Sequence, residues 1–233
     1  MKVEIWSDFV CPFCYIGKKN YEQALAQFSQ QEQIVTEYKS FELDPNVNPA
    51  DKRLTVDSLA EKYGISQEQA KEMTKGVASR AAEVGLTFHF ENMLDANTFD
   101  SHRIMQYAAS LGKAKELAEV LFHAHFTDNK NLSDRAVLTE LAATVGLDVA
   151  DVLANEQQYK AQVKAEEFEA QQLGVRGVPF FVIDRKYAIS GAQPVEVFLE
   201  TMNKAWSERS GGLQAVKAQD SDADSCGPDG CKV

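Results

Sequence analysis

The sequence predicts an α/β core interrupted by a large all-helical insertion. Three observations carry this. The first forty residues read strand, helix, strand. Residues 55 to 173 keep the apolar spacing of helices without a strand pattern between them. Residues 180 to 190 then return to short β-branched and aromatic runs broken by a turn.

Lys2 to Ser7 alternates polar and apolar residues, a strand pattern that puts Val3 and Ile5 on one face. Cys11-Pro-Phe-Cys14 follows at once. From Phe13 to Phe28, Ile16, Tyr21, Ala24, Leu25 and Phe28 recur at helical spacing, and Pro12 suits a first helical turn, where no N–H is missed. Ile34 to Phe41 alternates again and predicts a second strand, which a helical crossover makes parallel to the first. Asp44 to Pro49 has loop composition. Ser66 and Gln69 form a capping-box pair opening a helix to about Val84. Asn97 is expected to cap a helix to Leu111, and Ser133 or Asp134 one that ends near Gly146. Residues 148 to 173 read as one or two more. Phe180 to Ile183, the turn Asp184-Arg-Lys186 and Tyr187 to Ser190 read as a hairpin. Pro194 then opens a last helix ending near Trp206. Residues 207 to 233 lack aromatics, are rich in Gly, Ser and Asp, and are expected to form a mobile acidic tail. The expected division is a core of 1–44 and 174–206, a helical insertion of 45–173 and the tail.

A chain of 233 residues can bury a full core without disulfide staples. Its net charge of −11 repels phosphate backbones and anionic lipid, so nucleic acid and membranes are not expected partners. Glu4 and Asp8 interrupt the opening segment, which therefore does not read as a secretion signal, and the expected location is cytoplasmic. Thiols in that compartment stay reduced unless they do redox or metal chemistry.

The four cysteines fall as two close pairs, Cys11/Cys14 and Cys226/Cys231. Cys11 is placed where a strand ends and a helix begins, so free N–H groups and the helix dipole favour its thiolate. Cys14 lies one turn on, on the same face, within reach of a small disulfide ring. Cys11 is expected to be exposed and to attack, and Cys14 to be more buried and to resolve the mixed disulfide. CxxC is also a zinc spacing, but the strand–CxxC–helix context favours redox, and no metal or cofactor is expected. The sequence Gly-Pro-Asp-Gly between Cys226 and Cys231 is turn chemistry that can bring those sulfurs together, as a redox shuttle, an inert pair or a metal clip. Pro179 opens the third strand, where its missing donor costs nothing. A cis bond at a tight turn and an ordinary trans bond both fit that position. Phe9 and Phe13 could form an apolar rim for substrate. His102 reads as a packed or hydrogen-bonded helix histidine, and His123 and His125, two residues apart on a helix, do not form a chelating pair.

Three motifs carry a family resemblance: Ser7-Asp-Phe-Val-Cys-Pro-Phe-Cys-Tyr-Ile-Gly17, Asn97-Thr-Phe-Asp-Ser-His-Arg103, and Gly174-Val-Arg-Gly-Val-Pro-Phe-Phe-Val-Ile183 with Gly191-Ala-Gln-Pro194. With the order of elements they cover residues 1 to 206. On them the chain resembles the DsbA family, most closely its FrnE-like cytoplasmic branch. The resemblance implies a thioredoxin-like fold, a mixed sheet with flanking helices, carrying the all-α insertion domain. It implies that Cys11 attacks, that Cys14 resolves, and that Pro179 is cis and lies against the CxxC. The backbone of Val178 would then pair with an extended substrate, so that Val178, Pro179, Pro12 and Phe13 position it. Some relatives in this branch carry a similar terminal CxxxxC, in line with a shuttle role for Cys226 and Cys231. Phe13 stands where strongly oxidising members carry His, which predicts a less oxidising potential, nearer thioredoxin or an isomerase.

The implied activity is thiol–disulfide oxidoreductase or isomerase, a protein-disulfide enzyme. Its partners would be protein or low-molecular-weight thiols and disulfides, among them glutathione or a thioredoxin-type reductant. One alternative is a glutathione-dependent isomerase or kappa-class glutathione transferase-like enzyme, although those usually carry Ser at the first active position. The other is a chaperone-like or zinc-binding module.

Overall fold

The computed structural model describes residues 1–208, 214–215, 225–227 and 230–232. At its centre is β1 (Lys2–Ser7), hydrogen-bonded in parallel to β2 (Val35–Ser40), with Ile5 opposite Tyr38. Between them runs α1 (Pro12–Gln27), the crossover that parallel pairing requires. On its other edge β1 pairs antiparallel with β3 (Phe180–Ile183), which turns back into β4 (Tyr187–Ser190). Asp184 and Arg185 both take positive φ at the centre of a turn that the Lys186 N–H closes onto the Ile183 carbonyl at 3.0 Å, and Lys186 completes the three-residue connection. The sheet order is β2-β1-β3-β4-β5, where β5 is Gln214–Ala215. This is a thioredoxin-like mixed sheet with helices on both faces.

Seven helices lie between β2 and β3 in the described chain: α2 (Thr55–Tyr63), α3 (Gln67–Glu83), α4 (Phe99–Ser110), α5 (Ala114–Phe126), α6 (Arg135–Thr144), α7 (Ala150–Ala154) and α8 (Lys160–Gln172). The capping box forms as read: Gln69 N–H donates to Ser66 Oγ, and Ser66 N–H donates to Gln69 Oε1. Asp134 caps α6 through the N–H of Ala136. Asn97 lies one position further out than expected. Thr98 is the last non-helical residue before α4, while the Asn97 side chain still accepts from Phe99 N–H at 3.1 Å. The last helix, α9 (Val195–Ser207), follows Pro194.

The core has two parts divided by the sheet. Val3, Ile5, Phe181 and Ile189 face α1 and α9 and meet Tyr21, Phe28, Phe198 and Met202 there. The other face buries Trp6 and Val182 together with Phe9, Phe122 and Phe126 of the helical region. The polar alternation in β1 therefore does not mark a wet face. Glu4 is fully buried, held by Arg185 and Lys2, and the Trp6 indole N–H donates to the Glu166 carbonyl of α8 at 3.0 Å.

Much of the expected acidic tail lies outside the described residues. Those described are not wholly structureless: β5 extends the sheet, and β6 (Ser225–Gly227) and β7 (Gly230–Lys232) pair as an antiparallel hairpin. Among the described residues no helix is long and apolar enough to cross a membrane.

Candidate active site

Cys11 is the N-cap of α1 and Pro12 its first residue, so the sequence Cys-Pro starts the helix where β1 has just ended. Cys11 N–H donates to the Asp8 carbonyl, and Cys14 N–H donates to the Cys11 carbonyl, both at 3.1 Å. These two bonds fix the turn that carries both sulfurs. Both cysteines are free thiols.

The strand entrance 167 residues away closes the site. The Val178–Pro179 peptide bond is cis, and the Cys11 Sγ–H donates to the Val178 carbonyl oxygen at 3.6 Å. Gly17 permits this approach: a Cβ there would stand 3.0 Å from Pro179 Cγ and 3.4 Å from the Ala192 backbone. Helix α1 and the Pro179 loop thus touch where only a hydrogen fits.

Three expectations change here. Cys11 is not exposed: its relative accessibility is 0%, against 2% for Cys14. Its thiol is not acidified but pushed well up, first by burial, then by hydrogen bonding and charge coupling with Cys14, and by the negative charge of Asp8. Phe9 and Phe13 are buried core residues rather than a rim. Phe9 tilts against Phe122 at 5.2 Å, and Tyr15 stacks on Phe122 at 5.0 Å, seating the CxxC turn on α5.

The sequence reading passed over two groups. Asp8 is 1% exposed. Its Oδ2 accepts from Leu43 N–H at 2.7 Å, and its Oδ1 lies 3.5 Å from His102 Nε2, which is also 3.1 Å from the Phe41 carbonyl. Burial lowers the His102 pKa, but Asp8, with Glu42 and Glu167 behind it, more than offsets this, and the net direction is up. Asp8 stood in the first motif, three residues before Cys11, and that was the only available signal. The second group is Glu119 of α5, which accepts from Tyr15 and Lys19 of α1 and is paired with buried Lys18. Nothing local could announce it, because its partners lie about a hundred residues away in sequence.

Cys226 and Cys231 are backbone register partners across β6 and β7. Their side chains lie outside the described residues. Strand β6 lies against α1, and Gly227 approaches so closely that a Cβ on it would come within 2.6 Å of the Arg176 carbonyl oxygen. The tail strand therefore meets the segment that leads into Val178. Among the described residues no group of three or more His, Cys, Asp or Glu side chains is arranged to hold a metal ion.

The profile of the DSBA-like thioredoxin domain matches residues 2–203. The crystal structure of a probable DsbA oxidoreductase from Streptomyces coelicolor superposes with a TM-score of 0.86. It is 42% identical, and the match covers 100% of this chain and 99% of that one. The cytosolic disulfide reductase DsbM from Pseudomonas aeruginosa shares the fold at a TM-score of 0.59 and 15% identity, over 88% of this chain and 99% of its own. The YwbO protein of Bacillus subtilis (strain 168) is 28% identical over 84% of this chain and 92% of its own length.

Proposed function

The chain belongs to the DSBA-like thioredoxin domain family, and from that premise we propose that it is a thiol–disulfide oxidoreductase working through Cys11 and Cys14. The observation that carries the reading is the Cys11 Sγ–H donating to the Val178 carbonyl at 3.6 Å, with Cys14 one helical turn beyond. An extended substrate laid along Val178 would bring its own sulfur to Cys11. The Cys11 thiolate attacks one sulfur of a substrate disulfide, and the other leaves as a thiolate. Cys14, deprotonated, then attacks Cys11 Sγ. The substrate departs with both electrons, and Cys11–Cys14 becomes the disulfide. Run backwards, the same steps oxidise a dithiol. Pro12 and Phe13 set the local environment, and with Phe13 in place of an imidazole the potential falls toward the thioredoxin value of about −270 mV.

We assign the activity to the cytoplasm, with protein or small thiols as substrates and glutathione or a thioredoxin-type protein as the electron partner. The fold neighbour DsbM is a cytosolic disulfide reductase whose structure is also known with GSH, which supports this assignment. Cys226 and Cys231 are proposed as a second dithiol exchanging with Cys11; the approach of Gly227 to Arg176 supports it.

The test is a pair of variants in a disulfide-reduction assay coupled to glutathione. Cys11→Ser is expected to abolish turnover, and Cys14→Ser to accumulate a mixed disulfide visible by intact mass. Glutathione-dependent turnover of an organic substrate that survives Cys14→Ser would replace this reading with the isomerase or transferase one. One stoichiometric zinc with no dithiol oxidation would replace it with the metal-binding one.

A further inference from the structure

Asp8, His102 and Cys11 are all buried, and the exchange chemistry described above uses only the last of them. The Cys11 N–H bond to the Asp8 carbonyl, at 3.1 Å, holds these two residues within one tight turn. With neither group in solvent, the Asp8 charge reaches the thiol with little screening, and it opposes the thiolate.

The carboxylate is secured at one oxygen. Oδ2 accepts from Leu43 N–H at 2.7 Å, whereas Oδ1 is buried without a hydrogen bond and faces His102 Nε2 at 3.5 Å. The same nitrogen lies 3.1 Å from the Phe41 carbonyl. Two acceptors thus meet one ring nitrogen, so Nε2 carries a hydrogen and turns a donor edge to both. The surrounding charges favour a cation. Glu42, after β2, and Glu167 of α8 add to Asp8, against the single positive charge of Lys164, which pairs with both glutamates at 2.7 and 2.8 Å. Burial opposes a charged ring, but Asp8 and then the two glutamates outweigh it and raise His102 above 6.5. His125 of α5 also feels the Asp8 charge, but burial keeps it neutral down to about pH 4. His102 is therefore the imidazole able to answer the carboxylate.

Building on the disulfide-exchange reading, we propose that His102 is a positioning residue for that chemistry: its imidazolium, 3.5 Å from Asp8 Oδ1, balances the carboxylate and so makes the Cys11 thiolate easier to form. With the ring charged, Cys11 loses its proton beside a neutralised pair. With the ring neutral, it does so beside a bare carboxylate, at greater cost. The Cys11 proton leaves to solvent or buffer and His102 keeps its own, so none passes between them. The assistance is present below the pH at which His102 titrates and fades above it.

The experiment uses the full chain carrying Cys14→Ser, alkylated with iodoacetamide from pH 5 to 9 and read at Cys11 by peptide mass. His102→Gln is expected to slow the reaction about three- to tenfold at pH 6, with the deficit closing toward pH 9. In an Asp8→Asn background the same substitution is expected to change nothing, because the charge it balanced is gone. A deficit that is absent, independent of pH, or retained with Asp8→Asn would overturn the proposal. Should His102→Gln fail to fold, the chain with His102 intact decides. Its alkylation profile is expected to bend at the pH where NMR shows the His102 ring titrating, and a profile straight through that pH would overturn the proposal. The disulfide-exchange reading is judged separately on the unsubstituted protein. Absence of a Cys11–Cys14 disulfide at every glutathione ratio would bring down that reading, while the alkylation profiles still decide the charge coupling.

Discussion

Cys11 and Val178 meet across 167 residues of chain, thiol to carbonyl, at 3.6 Å and out of contact with solvent. The pair joins the start of α1 to the start of β3. It places the Cys11 sulfur against the backbone on which the proposed activity would seat an extended substrate. It also places that sulfur in a setting that disfavours its anion, because burial, Cys14 and Asp8 all raise its pKa. Cys11 is fully buried in this state, and the proposed exchange would require it to be uncovered.

The strand that lies on α1 is the element to remove. Ending the chain at Glu208 keeps the bonds from Lys186 and Tyr187 to Glu208 while deleting β6 and its contact at Arg176. Cys11 is expected to react with iodoacetamide about tenfold faster in the shortened protein, since reactivity follows exposure and thiolate fraction. Equal rates would mean that β6 does not guard the thiol.

Gly17→Ala tests the contact between α1 and the Pro179 loop. The added methyl meets Pro179 Cγ at 3.0 Å and the Ala192 backbone at 3.4 Å, and neither is the free end of a flexible side chain. Overpacking of this kind costs about 1–3 kcal/mol. Urea denaturation should show a loss in that range, together with slower exchange at Cys11. Unchanged stability and rate would show that the loop moves aside without penalty.

Glu119 supplies a stability term that depends on pH. Burial raises its pKa, but hydrogen bonds from Lys18, Lys19 and Tyr15 outweigh this and hold it at about 2, against 4.5 when free. A depressed carboxylate stabilises the fold above pH 4.5 and loses that contribution as the pH falls through 2. The group is partly exposed, so screening leaves about 1–2 kcal/mol. Glu119→Gln should show that deficit at pH 7 and progressively less of it toward pH 3. A deficit independent of pH would mean that the loss is one of packing.

His125 titrates with the opposite consequence for charge. Burial holds it neutral down to about pH 4, despite the Lys130 backbone bond and the charge of Asp8, whereas the unfolded chain protonates near 6.5. The unfolded state therefore binds the extra proton, and stability falls as the pH drops from 6.5 toward 4, by up to about 3 kcal/mol. Comparing wild type with His125→Leu across that window should show the slope in the first and its loss in the second. Parallel slopes would assign the acid sensitivity to another group.

Several features were legible because they are local. The CxxC at a strand–helix boundary, the Ser66–Gln69 capping box, the Asp134 cap and the hairpin turn at Asp184 and Arg185 each depend on residues a few positions apart. Short-range periodicity and turn chemistry report such features directly. The alternation of β1 describes one strand and not what covers it: α8 brings the Glu166 carbonyl to the Trp6 indole on the face opposite Val3 and Ile5.

The sequence by itself determined the fold class, the two thiols at the head of α1 and the place of Pro179. Tertiary structure alone decided the state of those thiols. Cys11 is buried and its thiol raised by what the chain folds over it, Asp8 is matched to His102 from α4, and α1 is fastened to α5 through Glu119. Desolvation and charge pairing are set by distances in space between groups far apart in sequence, and a linear pattern does not record them.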